Sequence, residues 1–243
     1  MCTRFLLEGA AAKAGFARMG LDALAAAVDA ALDRFNIAPG TDLLALRAGE
    51  QPRTARVFRP RWGFRPALAA GADNGLLVNA RAETLEQKPT FRNAFQHRRC
   101  LVPATGFYEW EKRGPARLPW LFRRGHGEPF CFAGLWEPVP LDGEDATAVV
   151  LVTTTPNSLM APLHHRMPVL LSGADACRAW LDTRADSAAL KALLTPPEAG
   201  AMTATPVSPK MNRSGFDSPE CVRPAVHGLA ARDEDETEPE LGL

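Results

Sequence analysis

No run of uninterrupted apolar residues approaches the roughly 18 that a membrane-spanning helix needs, and the start of the chain lacks the basic and then apolar pattern of a secretory signal. These absences lead us to expect a soluble, cytoplasmic protein. The five cysteines (Cys2, Cys100, Cys131, Cys177 and Cys221) include no Cys-x-x-Cys pair and have no histidine at ligand spacing, which weighs against a zinc site or a disulfide framework. We therefore expect no metal and no cofactor. There is also no internal repeat, which excludes a solenoid. Net charge is lacking too, at +0, and taken alone this weighs against a polyanionic partner. The balance is uneven, however. Six acids (Asp233, Glu234, Asp235, Glu236, Glu238 and Glu240) crowd the last eleven residues, so residues 1–232 carry 28 basic and 22 acidic side chains.

What is present reads as one domain over residues 1–228, followed by an acidic tail over 229–243 too polar to build a core and expected to be disordered. Leu21, Leu24, Val28, Leu32 and Phe35 recur at helical spacing and predict an amphipathic helix over 21–35. Seven short apolar runs of strand length follow: Leu43–Leu46, Leu76–Asn79, Cys100–Pro103, Phe107–Trp110, Phe130–Leu135, Ala148–Thr153 and Pro168–Leu171. Each is bounded by glycine, proline, asparagine or charge. A second helical stretch runs from a capping-box spacing at Ser172–Asp175 to Leu194, with a break around Asp182–Asp186. A short strand is expected near Thr205–Ser208. The pattern is mostly antiparallel β.

Cys2 is the most informative residue chemically. A small residue after the initiator methionine favours removal of Met1, which would leave an amine and a thiol on adjacent carbons. An α-amine titrates near ~8 and a thiol near ~8.5, so both nucleophiles are partly available at neutral pH. The amine can condense with an aldehyde, and the thiol can close on the same carbon to give a five-membered thiazolidine. That chemistry requires the cysteine to be accessible.

Arg53, Arg56, Arg59, Arg61 and Arg65 fall within thirteen residues containing no acid, with Trp62 and Phe64 among them. Guanidinium forks suit phosphate and aromatic faces suit unpaired bases, so this stretch reads as a single-strand nucleic-acid groove. Arg92, His97, Arg98 and Arg99 form a second basic cluster that would extend it. The alternative for both is a solvated basic surface.

Several blocks resemble, in order, the SRAP (SOS-response-associated peptidase) family of abasic-site processing proteins. They are Met1–Phe5, Phe35–Gly40, Val78–Thr84, Arg99–Trp110, Leu163–Leu171, and Pro206–Ser208 with Asn212. The resemblance runs from residue 1 to about 224. It implies an α+β fold with a mainly antiparallel, barrel-like β core and flanking helices. It also implies a covalent link between Cys2 and the ring-opened sugar of an abasic site in single-stranded DNA, with possible lyase activity and self-catalysed release of Met1. Asn79 would hold the N-terminal residue and the sugar, Glu109 would act as acid and base, and His164 would assist proton transfer. Arg4 and Arg81 would grip phosphate, with Arg61, Trp62 and Arg166 also on the DNA surface. The protein would be a monomer, associated with the nucleoid when bound to DNA.

The residues can be weighed separately. Glu109 lies between Phe107, Tyr108 and Trp110, whose apolar surfaces would raise its pKa by desolvation; otherwise it points to solvent or pairs with an arginine. Asn79 offers both donor and acceptor, though an asparagine ending a strand often just caps a turn. His164 and His165 on an extended strand would face opposite ways, so only the first would enter the site. The chain departs from the family pattern at Thr3, where glycine is usual, at Thr105, where aspartate is common, and after Trp62-Gly63, where a tryptophan is missing. Two other readings compete: an N-terminal-nucleophile amidohydrolase, and a non-catalytic single-stranded-DNA-binding module.

Overall fold

The computed structural model of the chain describes residues 2–29, 33–51, 54–64, 76–139 and 146–225. Leu32, Arg53, Arg65 and the acidic tail 229–243, about all of which the sequence raised expectations, lie outside the described residues.

Phe5, Leu6 and Leu7 are buried and form strand β1 (Phe5–Leu7). The alanine-rich segment after it forms helix α1 (Gly9–Arg18), which turns Gly9, Ala12, Gly15 and Phe16 to the core. Alanine is the strongest helix former, yet the segment has few large apolar residues, so periodicity did not reveal it. Gly15 is required by close approach: a Cβ there would lie 2.1 Å from Pro129 Cγ. Helix α2 (Asp22–Asp29) buries Leu24 and Val28, with Leu21 buried just ahead of it, as the periodicity predicts, and buries Ala25 as well. The expected extension to residue 35 is wrong, because Phe35 belongs to strand β2 (Arg34–Ile37), which pairs with β1. The Asp217 carboxylate accepts the N–H groups of Phe35 and Asn36 at 2.6 and 3.1 Å, and these tertiary bonds override the helical spacing.

The chain continues through β3 (Ala45–Ala48), β4 (Ala55–Phe58), β5 (Arg61–Trp62), β6 (Asn79–Arg81), α3 (Pro89–His97), β7 (Arg99–Ala104), β8 (Gly106–Arg113), β9 (Ala116–Arg124), β10 (Phe130–Pro138) and β11 (Thr147–Thr154). It ends through β12 (Met167–Pro168), β13 (Leu170–Leu171), α4 (Ala174–Leu181), α5 (Ser187–Ala192) and β14 (Met202–Pro206). Strand β9, with basic residues at both ends and Pro119 inside it, escaped the sequence reading. The break between α4 and α5 falls where it was expected, and Asp186 caps α5 by accepting the Ala189 N–H at 2.7 Å. The capping box at Ser172–Asp175 does not form: Gly173, at φ +90°, occupies the cap of α4 with no side-chain bond.

Two sheets result. One has five strands in the order β14-β9-β8-β1-β2. The other has nine, with the path β12-β11-β10-β7-β3-β4 and with β5 and β6 on β11 and β13 on β10. Pairing is antiparallel except where β5 and β6 join β11. The fold is thus α+β and mainly antiparallel as expected, but the described strands form two sheets and no closed barrel.

An aromatic cluster binds the sheets together. Phe5 from the five-stranded sheet meets Trp62 and Phe132 from the other edge to face, with centroids 5.2 and 5.3 Å apart. Phe107 on β8 stacks on Phe122 of β9 at 5.3 Å and meets Phe130 and Phe132 of β10 edge on. Such pairs add to the free energy of burial, and their edge-to-face geometry fixes how the sheets sit.

Candidate active site and nucleic-acid interface

The start of the chain enters the space between the two sheets. Pairing of Phe5 with Phe107 runs β1 antiparallel along β8, so the residues ahead of Phe5 lie toward Glu109 and Trp110. From the other sheet, β6 places Asn79 beside Leu151 of β11. The Asn79 side-chain amide donates to the Cys2 carbonyl at 2.9 Å. Its Oδ1 is buried and has no hydrogen-bond partner among the described residues. Asn79 therefore holds residue 2 with one hand and keeps an acceptor in reserve.

Contrary to the accessibility the chemistry requires, Cys2 is fully buried, at 0% exposure, in the chain that carries Met1. Its thiol reaches the Arg4 carbonyl at 3.8 Å. Burial, with the Glu109 carboxylate as a second cause, pushes the thiol well above its ordinary pKa, against smaller opposing effects from the amino terminus and the Arg4 carbonyl. The thiol is thus protonated and poorly nucleophilic in this form, and with Met1 attached the Cys2 nitrogen is an amide.

Glu109 is 3% exposed on β8. Burial raises its carboxyl, and the positive amino terminus, by charge and hydrogen bonding, pulls it partly back. A carboxyl so placed can carry a proton closer to neutral pH than a solvated one.

His164 and His165 do not lie on a strand. They sit in the turn before β12 with their rings stacked, 4.4 Å between centroids, so the expectation that they face opposite ways is wrong. The Arg166 N–H donates to His164 Nδ1 at 3.0 Å. The Arg166 carbonyl lies 3.1 Å from the same Nδ1, so the Arg166 backbone holds this edge of the ring in either tautomer. Burial, followed by the charge of the amino terminus, lowers the His164 pKa.

Four separated segments thus converge on the start of the chain: Asn79 bonds residue 2, the Glu109 charge acts on the Cys2 thiol, and the charge of the amino terminus acts on both Glu109 and His164. The arginines assigned to DNA divide differently. Arg61 and Arg81 are exposed to solvent. Arg4 is occupied: its guanidinium donates to Asn36 Oδ1 at 2.7 Å and to the carbonyls of Met211 and Asn212 at 3.2 and 3.3 Å, tying the N-terminal strand to the segment before residue 217. Arg166, 8% exposed, pairs with both carboxylate oxygens of Glu83 at 2.7 and 2.9 Å and with the Thr153 carbonyl. It is a structural clamp for the histidine turn in this state, and only a small part of it faces solvent.

Trp62 is a plain correction. It is 0% exposed and donates from Nε1 to the Val78 carbonyl at 3.0 Å, so it is a core side chain with no face to offer a base. The second basic cluster is corrected in part. Arg99 is buried and donates to the carbonyls of Phe95, Gln96, Trp180 and Asp182, closing the ends of α3 and α4. Arg98 pairs with Glu137 through two 2.7 Å bonds. The sequence reading missed Glu83 as a partner: it stands in the Val78–Thr84 block, but nothing in that block points to a residue 83 positions away.

The site is thus a buried cysteine at position 2, hydrogen-bonded by the Asn79 amide and within reach of the Glu109 charge. In sequence, the chain matches the family model described as SOS response associated peptidase (SRAP) over residues 1–214, and it belongs to that family. It is 36% identical over 194 residues to the abasic site processing protein YoqW of Bacillus subtilis, covering 77% of this chain and 84% of that one. It is 31% identical over 150 residues to the abasic site processing protein YedK of Escherichia coli, covering 62% and 65%. The abasic site processing protein HMCES of Gallus gallus is 29% identical over 196 residues, covering 70% and 57%. Among solved structures, a protein from Bacteroides thetaiotaomicron shares the fold with a TM-score of 0.75 at 22% identity, covering 93% of this chain and 100% of that one. A phage-related protein from Bordetella bronchiseptica has a TM-score of 0.64 at 28% identity, covering 85% and 94%.

Proposed function

We propose that this protein processes abasic sites in single-stranded DNA through a thiazolidine formed by Cys2 once Met1 has been removed. The observation that carries the reading is the convergence on residue 2: Asn79 bonds its carbonyl, and the Glu109 charge acts on its thiol. Membership of the SRAP family, and relatives that bear the name abasic site processing protein, support the substrate class.

Each step balances. Hydrolysis of the Met1–Cys2 amide frees the α-amine, which adds to the aldehyde carbon of the ring-opened deoxyribose. The carbinolamine loses its hydroxyl as water, with the proton supplied by the Glu109 carboxyl, and becomes an imine. The Cys2 sulfur then adds to the imine carbon, its proton ends on nitrogen, and the ring closes. Overall, one water is lost per link formed. The His164 ring, held at Nδ1 by the Arg166 backbone, can pass a proton through Nε2 to the departing sugar oxygen during ring opening. The unpaired Asn79 Oδ1 can orient the amine. Exposed Arg61 and Arg81 would contact phosphates. The reading is of self-processing and DNA linkage, not of a general protease.

The test is a denaturing gel with a single strand containing one abasic site, using wild type, Cys2→Ala and Cys2→Ser. A shifted wild-type band that disappears in Cys2→Ala is expected, with a weaker, less stable band for Cys2→Ser. If Cys2→Ala shifts as strongly, the link does not use the thiol and the thiazolidine reading fails; if the wild type binds the strand without any covalent band, the protein is a plain binding module.

A further inference from the structure

With Trp62 in the core, the base-stacking surface must be sought elsewhere. In the nine-stranded sheet, Arg56, Arg47, Cys100, Gly134, Leu151 and Asn79 are successive cross-strand partners. Directly opposed residues share a face of a sheet, so Arg47 and Asn79 stand on one face. Four strand spacings separate them, roughly 19 Å at ~4.8 Å each. At the far end of this row the core stops. Arg47, Phe58 and Trp136 are only half-buried there, and Arg56 is exposed.

The arrangement is specific. The Arg47 guanidinium lies 4.8 Å from the Phe58 ring centre and 4.4 Å from that of Trp136, and the two rings meet edge to face at 5.8 Å. The Arg47 guanidinium makes no hydrogen bond or ion pair with any described residue; its charge feels Glu50 as the nearby acid and Arg56 as a second cation. An arginine lying over two aromatic rings keeps N–H groups for an acceptor. Two adjacent guanidiniums favour an anion between them, and the half-exposed rings offer a base a face to stack on.

We infer that Arg47, Arg56, Phe58 and Trp136 form a second DNA subsite, taking a base and its phosphate from the strand that flanks the abasic position. The inference rests on the DNA reading above and assigns it a contact outside the N-terminal centre. At ~3.4 Å per nucleotide in a stacked strand, the separation corresponds to about six nucleotides. Short substrates would therefore not reach it.

The experiment compares wild type, Arg47→Ala/Arg56→Ala and Phe58→Ala on two dye-labelled single strands, a 25-mer and a 5-mer, each with a central abasic site. The double variant changes side chains largely outside the core and serves if Phe58→Ala fails to fold. Expected results are affinity for the 25-mer lowered about tenfold, a salt dependence shallower by about one or two phosphate contacts, and unchanged crosslinking of the 5-mer. In a second arm, base-free spacers placed about six nucleotides from the abasic position weaken binding of the wild type and not of Phe58→Ala. Equal 25-mer affinity and salt slope in wild type and double variant would overturn the subsite. So would a loss of 5-mer crosslinking in the double variant, which would place its effect at the catalytic centre. If the wild type crosslinks neither strand, the parent reading falls and the subsite falls with it.

Discussion

Arg166 grips both oxygens of the Glu83 carboxylate, at 2.7 and 2.9 Å, while its own backbone N–H holds His164 Nδ1 at 3.0 Å. One buried side chain thereby connects three places. Glu83 follows directly on the strand that carries Asn79, the Thr153 carbonyl belongs to β11, and the turn carries the histidine.

Glu83→Gln removes the charge from this clamp and keeps its shape. We expect a stability loss of about 1 kcal/mol or less, since Glu83 is nearly half exposed to solvent and the buried Arg166 keeps its bond to the Thr153 carbonyl. Crosslinking should slow by about tenfold with an altered pH profile, because His164 loses its fixed orientation. Melting temperature and gel kinetics from pH 5 to 9 measure both effects. An unchanged profile would leave the pair a purely structural one.

All five cysteines are buried in the chain with Met1 in place. A native sample that retains Met1 should therefore resist a maleimide for hours, and a processed sample should take one label at Cys2. Peptide mass measurement resolves the two cases. Rapid labelling of Cys2 in the Met1-bearing protein would mean that the thiol is open before processing.

Glu109 has a folded pKa above its ordinary value of ~4.3. Such a group favours the fold while protonated, below its unfolded pKa, and the benefit disappears as pH rises through the folded value. Glu109→Gln stays neutral throughout. It should match the wild type in thermal stability near pH 4, exceed it at pH 8, and lose crosslinking at both. A variant less stable than wild type at pH 8 would show that the carboxylate is needed by the fold.

Trp62→Ala removes a fully buried ring from the junction of the sheets and should cost about 3–5 kcal/mol. Trp62→Phe should fold, with a lower melting temperature, and bind single-stranded DNA within twofold of wild type. A large loss of affinity in a folded Trp62→Phe protein would return this side chain to the DNA surface.

Much of the fold was legible because β8, β10 and β11 are apolar runs bounded by turn residues, and local pattern alone marks such strands. What escaped was decided over long range. Phe35 has helical spacing but is drawn into β2 by Asp217, 182 residues away. Strand β9 has few large apolar residues at its ends and takes its shape from neighbours on both sides. Trp62 was read as a stacking surface because exposure is invisible in a sequence where a tryptophan stands among arginines.

By itself, the sequence determined the chemical types: an aminothiol in waiting at position 2, a carboxyl among aromatics at Glu109, a histidine pair, and an excess of arginine ahead of an acidic tail. Only the tertiary structure decided which of these groups meet, since Asn79 bonds residue 2 from one strand while Glu109 on another strand and His164 in a turn feel the charge of the amino terminus. It also decided which arginines are free. A guanidinium is satisfied by whichever carbonyls and carboxylates the folded chain brings within hydrogen-bond reach, so Arg99 and Arg166 became internal clamps, and Arg47 kept an edge for something else.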